Sequence, residues 1–277
     1  MTSPQGRLQR SEGRRLFGRD PQTYARFRPD YPERVYDILQ ERCGLRPGAR
    51  LLEIGAGAGT ATKRLAAMGA RVTAVEPDRR SAAYLRAMLG EMVEVRGTTF
   101  ERARLPLAAF DIVVAATSFH WVEPGPGLAK AAGVLKTGGW IALFWNIFGD
   151  PERYFPFHEA TKDLMASRTG GSPSGDNPVL EIDARKAEIE ATGAFGDLDV
   201  EVMRWEITST PEEIRALYST FSPVTRLPVR DQVDVLDELE RIAREEFGGK
   251  VWRPMVTIVY TARREGAAVQ SGPGTGR

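Results

Sequence analysis

Leu51-Leu52-Glu53-Ile54-Gly55-Ala56-Gly57-Ala58-Gly59-Thr60 is the stretch on which the fold turns. Its first residues read as a buried strand, its middle as a glycine turn, and its end as the opening of a helix. Three glycines at alternate positions let the backbone bend sharply and approach a ligand closely, because no Cβ stands in the way. An acid, Glu76, closes the next apolar run, Arg71-Val72-Thr73-Ala74-Val75. It falls about 20 residues on, the distance at which a carboxylate on a second strand meets a ribose in a doubly wound sheet.

Working outward, the chain alternates. Strands are expected at 50–54, 71–75, 92–96, 110–115 and 140–145. Helices are expected at 59–68, 79–89 and about 127–135, each ended by a glycine: Gly69, Gly90 and Gly138-Gly139. Val- and Ile-rich runs between glycine-terminated helices imply a mostly parallel sheet covered on both faces, the α/β class. Ligands of such sheets sit beyond the carboxyl ends of the strands, where the strand order reverses. Ahead of this region, Pro32 starts a helix carrying Val35, Ile38 and Leu39 at helical spacing, ending near Cys43-Gly44.

After Asn146 the pattern changes. Gly170 to Pro178 reads as a mobile linker between short helices. A helix at 179–193, a strand from Leu198 to Thr208, helices at 211–219 and 229–247 and a strand at 254–262 follow. Thr210 with Glu213 has the spacing of a capping box. The expected organisation is a loose tail over 1–18, a binding core with an N-terminal helical lid over 19–148, and a cap insertion over 149–178. The remainder of the core spans 179–263, its helices forming part of an acceptor pocket, and a flexible tail spans 264–277.

Composition bounds the function. The 277 residues carry 38 Lys and Arg against 37 Asp and Glu, so the formal net charge of +1 provides no global field toward nucleic acid or an anionic membrane. The arginine-rich N-terminus reads as a solvated tail rather than a phosphate-tracking arm, and it lacks the apolar segment of a signal peptide. A single cysteine, Cys43, excludes a disulfide framework within the chain. No metal-ligand spacing is present, and the most apolar window, Trp140 to Phe148, is too short to span a bilayer. A soluble cytoplasmic protein without a metal is the expectation; oligomeric state is not legible.

The glycine spacing is G-x-G-x-G with an acid two residues ahead, Glu53. A carboxylate there repels phosphates but suits an amino group, which argues against a dinucleotide. Together with Glu76, and with Thr117-Ser118-Phe119-His120-Trp121-Val122 and Val134-Leu135-Lys136-Thr137-Gly138-Gly139, these residues resemble the class I S-adenosylmethionine-dependent methyltransferases. The F-H-W segment and Tyr24-x-x-x-Arg28-Pro29-x-Tyr31-Pro32 resemble a bacterial small-molecule branch related to the ubiquinone-type and trans-aconitate-type enzymes. The resemblance covers about residues 20–148. It implies a Rossmann-like, seven-stranded, mostly parallel sheet with a helical cap, and S-adenosylmethionine as cofactor with S-adenosylhomocysteine as product.

Carried over by position, the resemblance implies that Gly55, Ala56 and Gly57 line the methionine and ribose, and that Glu53 holds the amino group. It implies that Glu76 accepts both ribose hydroxyls, Pro77 or Asp78 flanks the adenine, and Thr99 and Phe100 meet its edge and face. The backbone of Thr117 and Ser118 faces the sulfonium. On the acceptor side, His120 stands just after the fourth strand and is either the candidate base or a structural histidine packed with Trp121. Tyr24 is the second catalytic candidate, against a helix-packing role. Tyr31, Trp121, Trp145, Asn146 and Tyr218 are the candidate acceptor contacts; many other aromatics, and His158, suit simple packing. The expected function is in-line methyl transfer to a small, largely apolar metabolite at O, N or C. An RNA-modifying enzyme and a nucleotide-binding module without chemistry are the other readings.

Overall fold

Residues with near-continuous burial make the strands, and amphipathic stretches make the helices laid against them. In the computed structural model, residues 20–169 and 181–266 are described. The tail over 1–18, most of that over 264–277, and the linker Gly170 to Pro178 lie outside the described residues. In chain order the elements are α1 (Pro21–Phe27), α2 (Glu33–Glu41), β1 (Arg50–Ile54), α3 (Thr60–Ala67), β2 (Arg71–Val75), α4 (Arg79–Leu89) and β3 (Val93–Arg96). Then come β4 (Phe110–Ala116), α5 (Pro124–Val134), β5 (Leu135–Phe148), α6 (Pro156–Thr169), α7 (Ile182–Glu190) and β6 (Phe195–Ser209). The chain closes with α8 (Pro211–Ser219), α9 (Ser222–Thr225), α10 (Val229–Glu245) and β7 (Val251–Arg264).

The strands form one seven-stranded sheet in the order β3-β2-β1-β4-β5-β7-β6. Strands β1 to β5 pair in parallel, and β7 runs antiparallel between β5 and β6. The order reverses between β1 and β4. The turn after β1 and the loop after β4 therefore open onto the same crevice. On one face Val35, Leu39, Leu65 and Leu85 pack on Leu51, Val72, Val114 and Phe144. On the other, Leu128, Val134 and Ile189 pack on Leu52, Val113, Leu143 and Ile258. A third cluster, with Phe157, Ile214, Leu239 and Val251, joins α6, α8 and α10 into a cap.

Three elements differ from the sequence reading. Strand β5 begins at Leu135, where a helix end and turn were expected; Phe110 pairs Leu135 and Ile112 pairs Trp140, so the extra residues are taken up as an irregularity in the ladder. Segment 21–27 is helical, capped by the Asp20 side chain, which accepts the Thr23 N–H at 2.9 Å. The cap contains one 14-residue helix, α6, in place of short pieces. Among the described residues no helix is long and apolar enough to cross a membrane.

Candidate active site

The turn after β1 is held by its own backbone and by Glu76. Gly55 has φ +69°, and a Cβ there would lie 2.6 Å from Ser118 Cβ, so both conformation and space require glycine. Its N–H donates to Val75 O at 2.8 Å. Gly57 has φ +57°, and nothing lies within 4 Å of the place its Cβ would take, which leaves open space beside the turn. The Gly57 N–H donates to Glu76 Oε2 and the Asp78 N–H to Glu76 Oε1, each at 2.7 Å.

Glu53 is 1% exposed and its Oε2 has no hydrogen-bond partner among the described residues. Burial, reinforced by the nearby Glu76 charge, pushes its pKa up to about 8. A buried carboxyl oxygen left without a hydrogen bond is costly, and a ligand cation relieves it.

The loop after β4 is locked onto β1 and the N-terminal segment. Thr117 has φ +51°, strained for a β-branched residue. Its Oγ1 pairs with the Tyr31 hydroxyl at 2.7 Å and accepts the Asn146 N–H at 3.3 Å. Ser118 Oγ donates to Ile54 O. Burial raises the Tyr31 phenol well above its ordinary range, so it remains neutral.

His120 sits in the 3-10 turn Phe119–Trp121. Its Nδ1 accepts from Trp145 Nε1 at 3.1 Å. An indole N–H only donates, so Nδ1 bears the lone pair and the neutral ring carries its hydrogen on Nε2. Burial, reinforced by the Arg185 charge, lowers the ring pKa to about 4. Both observations favour the structural alternative: Nδ1 is engaged by Trp145, and the neutral ring carries its hydrogen on Nε2.

The opposite wall comes from distant segments. Tyr24 and Arg28 face Phe221, Ser222 and Pro223. Arg28 Nε donates to Thr220 Oγ1 at 2.9 Å and Nη2 to Thr220 O at 3.1 Å. Its guanidinium lies 5.1 Å from the Tyr24 ring, 4.9 Å from Phe148 and 4.5 Å from Phe221.

These walls enclose a cavity of about 310 Å³, in the size range of small-molecule sites. Glu53, Gly55, Ala56, Gly57, Glu76, Pro77, Phe100, Thr117 and Ser118 line it, as do His120, Tyr24, Tyr31 and Trp121. Four expected residues do not. The Thr99 carbonyl accepts the N–H groups of Arg102 and Ala103 in the next turn. Trp145, 1% exposed, lies in the core and supports His120 from behind. Asn146 ties the N-terminal segment down by donating to Pro29 O at 3.3 Å and Asp30 O at 3.2 Å. Tyr218 is buried, its hydroxyl accepting from Arg253 Nη2 at 2.8 Å. The sequence reading missed Arg28 as a wall residue, although it stood in the quoted motif, and Phe221-Ser222-Pro223, for which no local signal existed.

Residues 52–143 match the family model described as a methyltransferase domain. Over that stretch the chain is similar to methyltransferase domains. An uncharacterized methyltransferase of Mycobacterium tuberculosis is 38% identical over 130 residues, 47% of this chain and 51% of that protein. The chain thus spans about half the length of that relative. A trans-aconitate 2-methyltransferase of Mycolicibacterium gilvum is 29% identical over 195 residues, covering 69% of this chain and 71% of that one. Among solved structures, a proposed type II methyltransferase of Anaeromyxobacter dehalogenans superposes with a TM-score of 0.62 at 22% identity, over 87% of this chain and 100% of the other. That likeness is one of fold.

Proposed function

We propose that the protein transfers the methyl group of S-adenosylmethionine to a small-molecule acceptor. The observation that carries this reading is Glu53: a buried carboxylate, unpaired at Oε2, on the wall of the cavity beside the glycine turn. Such a group suits an ammonium and disfavours a phosphate. When bound, the cofactor supplies a sulfonium-activated methyl with its leaving group built in.

Glu53 holds the amino group, and Glu76, fixed by the Gly57 and Asp78 N–H groups, receives the ribose hydroxyls. Gly55, Ala56 and Gly57 offer close backbone approach, Pro77 and Phe100 flank the adenine, and the Thr117–Ser118 backbone faces the reacting centre. Tyr24, Tyr31 and Trp121 shape the acceptor end, align the nucleophile and exclude water. His120 presents its Nε2–H as a hydrogen-bond donor that orients the acceptor. Among the described residues at the acceptor end, Tyr31 stays a neutral phenol and His120 a neutral ring with its hydrogen on Nε2, which favours an acceptor that enters as its own nucleophile.

Calorimetry with S-adenosylhomocysteine tests the proposal. Binding by the wild type, weakened about tenfold or more in Glu53→Gln, is expected, because a charge-assisted contact is lost. No binding by the wild type would overturn it.

A further inference from the structure

Arg28 is the cation of the cavity wall, and its charge is unanswered. The exposed or half-buried arginines Arg34, Arg64, Arg204, Arg215, Arg241 and Arg244 each pair with a carboxylate near the surface, where pairing contributes little. Arg28, largely withdrawn from water, has no carboxylate within 4.0 Å among the described residues; its hydrogen bonds go to the two neutral oxygens of Thr220. Those bonds use the Nε–Nη2 edge of the guanidinium. The other edge, Nη1 with the second Nη2 hydrogen, remains for a ligand, and it has the fork geometry that matches a carboxylate.

A second cation sharpens the imbalance. Arg253 is 4% exposed and also lacks a carboxylate partner among the described residues; its Nε is buried without a hydrogen bond. The Phe148 ring is shared between the two, 4.9 Å from the Arg28 guanidinium and 5.8 Å from that of Arg253. Tyr24 and Phe221 complete an aromatic surround for Arg28. Ring faces attract cations but do not replace a counter-charge in a site shielded from water. Burial, with the Arg253 charge adding to it, pushes the Arg28 pKa down, a further sign of an uncompensated charge. The charge acting on Glu53 is that of Glu76, whereas the charge that helps push the Arg28 pKa down is that of Arg253. The two ends of the cavity are therefore electrostatically distinct.

We propose that Arg28 seats the carboxylate of the acceptor, so that the acceptor class is an organic acid with an apolar or aromatic body. Of the rings around Arg28, Tyr24 and Phe221 line the cavity and take the body, and the free guanidinium edge takes the charge. This rests on the methyl-transfer reading of the same cavity and narrows it: an acceptor apolar throughout leaves the buried cation unanswered.

The experiment compares matched pairs, benzoate with benzamide, phenylacetate with phenylacetamide, and hexanoate with hexanamide. Each is titrated calorimetrically into the full chain saturated with S-adenosylhomocysteine, in the wild type, Arg28→Met and Arg28→Lys. At least one acid is expected to bind about tenfold or more tightly than its amide, as a lost charge-assisted fork implies. That preference disappears in Arg28→Met and is reduced in Arg28→Lys, while S-adenosylhomocysteine affinity stays within about twofold in both. The acid–amide comparison in the wild type stands whether or not a variant folds. Equal binding of acids and amides, binding of no acid, or acid binding that survives Arg28→Met overturns the proposal. A tenfold loss of S-adenosylhomocysteine affinity in both variants overturns it as well, placing the cofactor's own carboxylate on Arg28. Failure of the wild type to bind S-adenosylhomocysteine at all is the separate failure of the methyl-transfer reading.

Discussion

At Glu53 the pKa is about 8 in the folded chain against a reference of 4.5, and burial is the chief cause. Between those two values the folded protein holds a proton that the unfolded chain releases. Stability therefore falls as pH rises through that window, opposite to the usual paired carboxylate. Glu53→Gln removes the titrating group. The variant is expected to melt above the wild type at pH 8, with the difference closing toward pH 4.5, in a melting-temperature series across pH. A variant that melts below the wild type at pH 8 would count against a buried, unpaired acid. The cofactor experiment runs with the opposite benefit: wild-type affinity for S-adenosylhomocysteine climbs with pH up to about 8, because binding an ammonium requires the carboxylate form, and the climb vanishes in Glu53→Gln. His120 yields a second expectation. With its pKa lowered to about 4, kcat/KM for any acceptor is expected to show no ionisation between pH 5 and 8 that His120→Gln removes. A limb near pH 6.5 that disappears in that variant would restore the base. The position of His120 is legible locally, since it follows an apolar strand. Its tautomer is not, because Trp145 sets it from a neighbouring strand 25 residues away.

Among the elements, those with local determinants are the legible ones. Helix α8 has Thr210 accepting from the Glu213 N–H at 3.3 Å while Glu213 Oε2 accepts from the Thr210 N–H at 2.8 Å, as the spacing implies. Thr210→Ala is expected to cost about 1 kcal/mol, since the Glu213 N–H loses its side-chain acceptor while the N–H of position 210 keeps Glu213. For a chain of this size that corresponds to a melting point lower by about 2–4 °C. S-adenosylhomocysteine affinity should remain unchanged, because α8 holds the cap and does not touch the glycine turn; a calorimetric loss would tie the cap to the cofactor. Strand β5 shows where local reading fails. Lys136-Thr137-Gly138-Gly139 has turn chemistry, yet the flanking residues Leu135 and Trp140 both pair with β4. Tertiary pairing outweighs propensity there, and only the partner strand reveals it. Strand β7 starts at Val251 despite Pro254, whose missing N–H falls beyond the last β5 pair, Phe148 with Met255.

Over the whole molecule the cavity has two halves of different origin. The half proposed for the cofactor comes from β1, β2, the turns after them and Phe100 beyond β3, between Glu53 and Phe100 in sequence, and its residue types carry their own signature. The acceptor half joins Tyr24 and Arg28 to Phe221, Ser222 and Pro223, with Arg28 bonded to Thr220 across 192 positions. No periodicity or motif announces a contact over that separation, so this half was readable only as scattered aromatics. The two halves also differ in what holds them. The glycine turn is braced by backbone hydrogen bonds and by Glu76, whereas α1 buries no residue fully and is anchored mainly through Arg28. Segments with few buried contacts open most readily. Hydrogen–deuterium exchange on the full chain is therefore expected to respond in two stages. S-adenosylhomocysteine alone should slow exchange in 54–60 and 75–81, where its seat is proposed, and leave α1 and α9 close to their free rates. Addition of an organic acid that binds should then slow exchange in α1 and α9, because it bridges the wall that Arg28 and Phe221 share. Simultaneous protection of all four segments by S-adenosylhomocysteine alone would mean that the cofactor itself spans both halves and leaves no separate acceptor seat.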